Sequence, residues 1–227
     1  MLSREADAVL ARLEDAGHVA YAVGGCVRDL LRGAVPHDWD VTTSARPEEV
    51  MALFPGRCIP TGLPHGTVTV RENHQSIEVT TFRADGPYDD GRHPRSVAFS
   101  TRIEDDLARR DFTVNAMALD RRGTLVDVFG GREDLARGVI RCVGEPDRRF
   151  GEDALRVMRA LRFAACFGFS IGEETARSLR RSAPGLRRIA AERLREEMTK
   201  LLCGDGAAAV LLAYPEVIGV FLPEILP

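Results

Sequence analysis

Residues 23–40 read VGGCVRDLLRGAVPHDWD, and the fold turns on how this stretch is parsed. An apolar run ends at Gly24-Gly25, an amphipathic turn follows, and Asp38 and Asp40 then stand two residues apart. Residues i and i+2 of a strand share a face. If a strand runs through Trp39, the two aspartates project together and the indole turns the other way. Side-by-side carboxylates repel unless a cation sits between them, and such an all-oxygen site suits Mg²⁺. A strand entering two glycines and then a helix can offer backbone N–H groups to a phosphate, with Arg28 one turn further on adding a guanidinium. The glycines equally suit a tight turn that needs positive φ, and a D-x-D at a strand end also arises by chance. Neither the Walker signature nor G-x-G-x-x-G is present, so the glycines do not announce a P-loop or a dinucleotide fold.

Working outward, residues 2–16 have helical spacing, 18–23 form a short apolar strand, and 27–31 continue as a helix that stops near Gly33. The spacing predicts a strand over 39–43 and a helix over 47–54, with Ser44 as its N-cap. Residues 66–70 and 76–82 alternate in polarity about the segment RENHQ, a hairpin signal. Residues 83–96 (RADGPYDDGRHPRS) read as one long functional loop. A helix begins at 103 and runs toward RRDFTVNAM, a short strand follows at 125–128, and FGG reads as a turn. From about Arg148 the pattern is helical, broken at Pro184-Gly185 and at 204–206. The expected class is therefore α+β: a head with a small mixed or antiparallel sheet and flanking helices, then an all-α neck and the start of a helical body.

Charge follows the same division. Residues 1–136 carry 16 arginines against 22 acids (−6), residues 137–195 carry 14 arginines against 7 acids (+7), and the remainder carries Lys200 against 5 acids (−4). An acidic part beside a basic part fits a metal or catalytic half next to a polyanion-binding half, although solvated arginine faces give the same count. No apolar run reaches the roughly 18 residues of a membrane span, and the charged amphipathic N-terminus does not read as a signal peptide. The five cysteines are scattered and form no C-x-x-C pair, which points to a reduced, cytoplasmic setting and away from zinc.

A third carboxylate stands in SIEVTTF, where Glu78 shares a strand face with Thr80 opposite two β-branched apolar residues. It marks either a solvated face or a site. In EDALRVMRALRF, Asp153, Arg156, Arg159 and Arg162 recur every three residues, a stripe that drifts about 60° per step on a helix. Asp153 and Arg156 are neighbours on that stripe. They make either a surface ion pair or an acceptor–donor edge matching the amino group and ring acceptor of cytosine or adenine. Guanine and uracil carry a carbonyl where that amino group stands, so they would set oxygen against Asp153. By analogy with base readout in nucleic-acid grooves, such a pair discriminates by about 1–3 kcal/mol.

VGGCVRDLL, HDWDVTT, IEVTTFR, LARRDFTVNAMALD, DVFGGREDLARGVIR and FGEDALRVMRALRFAACFGF occur in this order over roughly residues 20–205. The set resembles the class II tRNA nucleotidyltransferases and the related bacterial poly(A) polymerases of the DNA polymerase β-like superfamily. The resemblance implies a template-independent enzyme that adds CCA, or part of it, to tRNA 3′ ends from CTP and ATP by two-metal phosphoryl transfer with release of pyrophosphate, with Mg²⁺ as cofactor. It implies Asp38 and Asp40 as metal carboxylates and Glu78 as the third. Gly24, Gly25 and Arg28 match the positions that hold the nucleotide phosphates. Arg110 matches a nucleotide-contacting arginine, and Asp111 and Asn115 match sugar-side and site-shaping positions. Asp153 and Arg156 match the base-reading pair, and Arg159 and Arg162 match further nucleotide or phosphate contacts. ERLREEMTKLL (192–202) resembles a helix that buttresses the base-reading helix. The loop with Tyr88, Arg92 and Pro94 resembles the flexible loop of CCA-adding and A-adding members. The implied layout is a head over 1–140, a neck over 141–205 and the start of a body over 206–227, with the rest of the body expected to be absent. A poly(A) polymerase, an A-only or CC-only enzyme, and a silent RNA-binding module are the alternatives.

Overall fold

The computed structural model describes residues 1–86 and 96–225. Among them the chain forms two compact units, one of residues 1–86, 96–110 and 114–132, the other of 111–113 and the chain from 133 onward. The loop residues Tyr88, Arg92 and Pro94 lie outside the described residues.

The first unit opens with α1 (Arg4–Asp15). Ser3 caps it, its hydroxyl accepting from the Ala6 N–H at 3.1 Å, and Ala6, Val9, Leu10 and Leu13 form its buried stripe. The chain continues through β1 (Ala20–Val23), α2 (Gly25–Leu31), β2 (Trp39–Thr43), α3 (Pro47–Leu53) and β3 (Cys58–Gly62). Next come β4 (Thr67–Glu72), β5 (Gln75–Thr81), the short antiparallel pair β6 (Arg83–Asp85) and β7 (Val97–Phe99), α4 (Ile103–Ala108), β8 (Ala118–Leu119) and β9 (Leu125–Val126). Seven strands form one sheet in the order β3-β4-β5-β2-β1-β8-β9. All its pairings are antiparallel except β2 with β5, so the sheet is mixed.

Alternation gives this sheet two unlike faces. Trp39 and Val41 of β2, Ile77 and Val79 of β5, and Val68 and Val70 of β4 are buried, and their side of the sheet packs against α1 and α3. The intervening residues Asp40, Thr42, Glu78, Thr80, Thr67 and Thr69 line up on the other face. The β4–β5 hairpin turns through Asn73 and His74, whose φ values of 43° and 73° suit the two-residue turn that follows strand twist.

The structure departs from the sequence reading in several elements. Ser44 does not cap α3; its hydroxyl accepts from the Val19 N–H at 3.0 Å, while Arg46 precedes the helix and its N–H is taken by Glu49. The helix beginning at 103 stops at Ala108, and Thr113–Asn115 form a single 3-10 turn, so Arg110 does not enter an apolar helix. The expected loop 83–96 opens as strand, because Arg83–Asp85 form β6, which pairs with β7 just beyond the loop's end. β3 carries Pro60 and Gly62 and lies at the sheet edge, where a missing N–H is tolerated.

FGG is not only a turn, because α5 (Gly131–Arg137) begins at its second glycine. Beyond it lie β10 (Val139–Ile140), α6 (Pro146–Glu152), α7 (Leu155–Phe167), β11 (Ser170–Ile171), α8 (Glu173–Ser182), α9 (Ala191–Leu202), α10 (Ala207–Ala213) and α11 (Pro215–Ile218). The second unit is helical apart from the two-residue parallel pair β10–β11. Its centre is α7, where eight residues from Leu155 to Ala165 are buried. α9 packs along α7 with Leu194 and Leu201 inward. Gly204 permits α10 to follow closely: a Cβ there would stand 2.7 Å from the backbone of Ala165. Among the described residues no helix is long and apolar enough to cross a membrane.

Candidate active site

In the first unit the parallel register of β2 and β5 sets Asp40 directly opposite Glu78. Asp38 stands just ahead of β2 and is exposed, as is Glu78, whereas Asp40 is half-buried. Burial pushes the Asp40 carboxyl up, Arg110 draws it down, and Glu78 and Asp38 push it up again, to about 6. A carboxylate raised by burial and by like charge is one that a divalent cation would stabilise. Among the described residues no group of three or more His, Cys, Asp or Glu side chains is placed to hold a metal ion. Mg²⁺ does not need one, since it takes one or two carboxylates and fills its octahedron with phosphate oxygens and water. The hard-oxygen donors present fit that ion.

Gly24 and Arg110 meet close to this pair, Arg110 near enough to act on the Asp40 charge. Gly24 has φ 80° and ψ −129°, and its N–H donates to the Met117 carbonyl at 3.1 Å. A Cβ at Gly24 would stand 2.8 Å from Arg110 Nη1, so the backbone conformation disfavours a side chain and the guanidinium would have to move to admit one. Arg110 is held by Asp106, its Nη2 donating to Oδ2 at 3.1 Å, and its Nε is buried without a hydrogen-bond partner among the described residues. Arg28 is buried on α2. Its Nη1 donates to Asn115 Oδ1 at 2.6 Å and its Nε to Asp29 at 2.9 Å. Gly25 lies alongside, a Cβ there falling 3.6 Å from Arg28 Nη2. The fold thus brings Gly24, Gly25, Arg28, Arg110 and Asn115 together although they come from separate parts of the chain. Gly24→Ala is expected to cost about 1–3 kcal/mol from the disfavoured conformation alone and to displace Arg110. A lower melting temperature together with weaker triphosphate binding by calorimetry would show both effects.

Asp111 belongs to the second unit although it follows Arg110 directly. Its Oδ2 takes Arg159 at 2.6–2.8 Å. Burial disfavours the Arg159 charge, and Asp111 and Glu197 more than offset it, leaving the guanidinium above its ordinary value. Arg162 donates to Glu197 at 2.6 Å and lies over the Phe163 ring. The two base-reading candidates are placed differently from one unbroken helix. Asp153 sits in extended conformation in the break between α6 and α7 and accepts from the Leu155 N–H at 2.9 Å. Its other oxygen takes Arg193 at 2.9 Å. Arg156, in the first turn of α7, donates to Glu152 at 2.6 Å and to the Arg149 carbonyl at 3.0 Å. Glu152 is itself buried and also receives Arg148 and Arg149.

Asp106, Glu152, Arg193 and Glu197 were not singled out from the sequence as site residues. The first two carried a local signal, an acid three or four residues from an arginine. Arg193 and Glu197 lie in the segment 192–202 expected to buttress the base-reading helix, but their partners, 35 to 40 residues away, have no local signal.

Two families match the chain: Poly A polymerase head domain over residues 20–141, and Probable RNA and SrmB- binding site of polymerase A over residues 168–225. A CCA-adding enzyme of Geobacillus stearothermophilus is 48% identical over 221 residues, covering 97% of this chain and 54% of that protein. One from Leuconostoc mesenteroides is 48% identical over 220 residues, covering 96% and 55%. The chain therefore spans about half the length of the curated relatives it matches. Among solved structures, the Bacillus stearothermophilus CCA-adding enzyme in complex with CTP superposes with a TM-score of 0.85 at 47% identity, covering 93% of this chain and 51% of that one. The Thermotoga maritima CCA-adding enzyme complexed with tRNA_CCA gives 0.78 at 30% identity, covering 96% and 52%. The mixed sheet with its flanking helices and the following helical unit thus have the fold of these enzymes, and the chain belongs to the poly A polymerase head-domain family.

Proposed function

We propose that this chain carries the nucleotide-adding centre of a CCA-adding tRNA nucleotidyltransferase, which extends a tRNA 3′ end from CTP and ATP. The observation that carries the reading is the meeting of Gly24 and Arg110 beside the opposed pair Asp40 and Glu78. It offers positive charge and open backbone for a triphosphate next to carboxylates for a cation, and the named activity of the relatives supports it.

In the proposed reaction the terminal 3′-hydroxyl attacks the α-phosphorus, the bond to the β-phosphate oxygen breaks, and pyrophosphate leaves. Gly24 and Gly25 let the triphosphate approach the backbone, and Arg28 and Arg110 neutralise it. Asn115 fixes Arg28 through the 2.6 Å contact. Asp38 and Asp40 would hold Mg²⁺, with Glu78 as the third carboxylate. When bound, Mg²⁺ lowers the pKa of the attacking hydroxyl and offsets charge on the leaving group. In the second unit Asp153 accepts from the amino group of cytosine or adenine and Arg156 donates to the adjoining acceptor. Asp111, Arg159 and Arg162 are the further nucleotide-contacting residues of that unit, on the sugar and phosphate side. Most of the rate then comes from positioning and preorganised charge. The functional division follows a head over 1–140, a neck over 141–205 and a body beginning at 206, in a cytoplasmic enzyme.

The test is incubation of tRNA lacking its CCA end with CTP, ATP or both in Mg²⁺, followed by sequencing of the 3′ ends. CCA with both nucleotides is the expected result. A run of A residues from ATP alone would assign a poly(A) polymerase, and CC or a single A as the only product would assign a partial enzyme. No pyrophosphate release under any condition would leave an RNA-binding module.

A further inference from the structure

Asp153 is the only candidate base reader presented from a break between helices, and a side chain from a third helix holds it there. Its backbone is extended between α6 and α7. Oδ1 accepts from the Leu155 N–H at 2.9 Å, and Oδ2 accepts from Arg193 Nη2 at 2.9 Å. Arg193 stands in the first turn of α9, forty residues further along the chain. With the Leu155 contact alone, the carboxylate could pivot about that one bond. Two contacts, one to each oxygen, fix its plane.

We propose that Arg193 is a specificity-determining positioning residue, which aims the free lone pairs of Asp153 at the exocyclic amino group of the incoming base. The proposal rests on the functional reading above and deepens it. An ionised carboxylate has about four acceptor positions, and here two are used by protein. The remaining two point where the first two leave them. An amino group at that position is accepted, whereas a carbonyl meets oxygen. Discrimination depends on that direction being kept, because a carboxylate free to rotate can turn away from a carbonyl and lose the repulsion.

A purely architectural role for Arg193 is weakened by its neighbour. Glu197, one turn along the same helix, already ties α9 to α7 through Arg162 at 2.6 Å, and Leu194 and Leu201 bury the seam. The side chains of Arg193 and Asp153 keep 25% and 15% of their exposure, which leaves the carboxylate reachable by a ligand. Arg156 has a counterpart to this arrangement in Glu152, at 2.6 Å. Each reader is thus held by a partner of opposite charge.

The experiment is titration calorimetry of the full chain with CTP, ATP, UTP and GTP in Mg²⁺, for wild type, R193A, R193Q and R193K, with a melting temperature for each. Wild type is expected to prefer CTP and ATP. R193A and R193Q are expected to lower that preference roughly tenfold, within the range one base-edge pair supplies, chiefly by binding UTP and GTP better. R193K, which keeps the charge but not the planar fork, should recover part of it. R193Q retains length and a donor, so the readout does not depend on R193A folding. Equal weakening of all four nucleotides, or an unchanged ratio in both R193A and R193Q, would overturn the proposal. A wild type with no preference would instead overturn the functional reading on which it rests.

Discussion

Replacing Asp40 by alanine is expected to lower nucleotide addition by at least about 10²- to 10³-fold, the scale of losing a preorganised charged group, without lowering the melting temperature. The two halves of that result have separate causes. Activity falls because Asp40 stands at the centre of the carboxylate set, opposite Glu78 and two residues from Asp38. On the proposed reading Asp40 supplies an oxygen ligand to the cation, which alanine cannot. Stability is kept because the half-buried carboxylate is crowded by two others and favoured by Arg110 alone among the charges acting on it. Removing it relieves repulsion rather than breaking a supporting contact. Asp38→Ala should behave alike in activity and, being exposed, should leave stability unchanged. Extension of tRNA ends in Mg²⁺ beside a thermal melt reads both. A wild-type rate in either variant would sink the metal assignment.

Asp106→Asn is expected to do the opposite and to strike stability first. Asp106 is fully buried, and its Oδ1 takes Arg109 at 2.8 and 3.0 Å while Oδ2 takes Arg110 at 3.1 Å. Burial pushes this carboxyl up, but the two guanidiniums outweigh it and hold its pKa below the ordinary value. Taking the charge away removes the buried carboxylate that both guanidiniums share, which costs about 3–5 kcal/mol, or roughly 6–20 °C in melting temperature. Arg110 would also lose its anchor and its position beside Gly24, so triphosphate affinity should fall as well. The pH dependence has a definite sign. A depressed carboxyl stabilises the fold above its unfolded pKa of ~3.9, and that contribution disappears as pH falls through the folded value. Wild type should therefore lose its advantage over D106N on acidification. A melt series from neutral to acid pH in which the gap stayed constant would show that the pair contributes nothing.

The sheet was legible in the sequence because strand alternation has a period of two. Once residues 39–43 and 76–82 are read as strands, Asp40 and Glu78 must each face away from their β-branched neighbours. Their direct opposition needed the parallel pairing of β2 and β5, which no local pattern encodes. β8, β10 and β11 were missed because two residues carry no periodicity, whereas β9 lies within the strand expected at 125–128. β3 was missed because proline and glycine are strand breakers everywhere except at an edge.

What the sequence determined by itself was the supply of chemistry: carboxylates at 38, 40 and 78, a glycine pair ahead of an arginine, and an aspartate with arginines at intervals of three after residue 150. What tertiary structure decided was which of these groups hold one another. Arg28 reaches Asn115 across 87 positions, and Asp153 reaches Arg193 across 40. RRDFTVN reads as a single motif, yet Arg110 and Asn115 join the first unit and Asp111 the second. The physical reason is range. Backbone periodicity fixes the direction of a side chain from its nearest few neighbours, whereas its hydrogen-bond partner is whatever the packing of distant elements brings within about 3 Å.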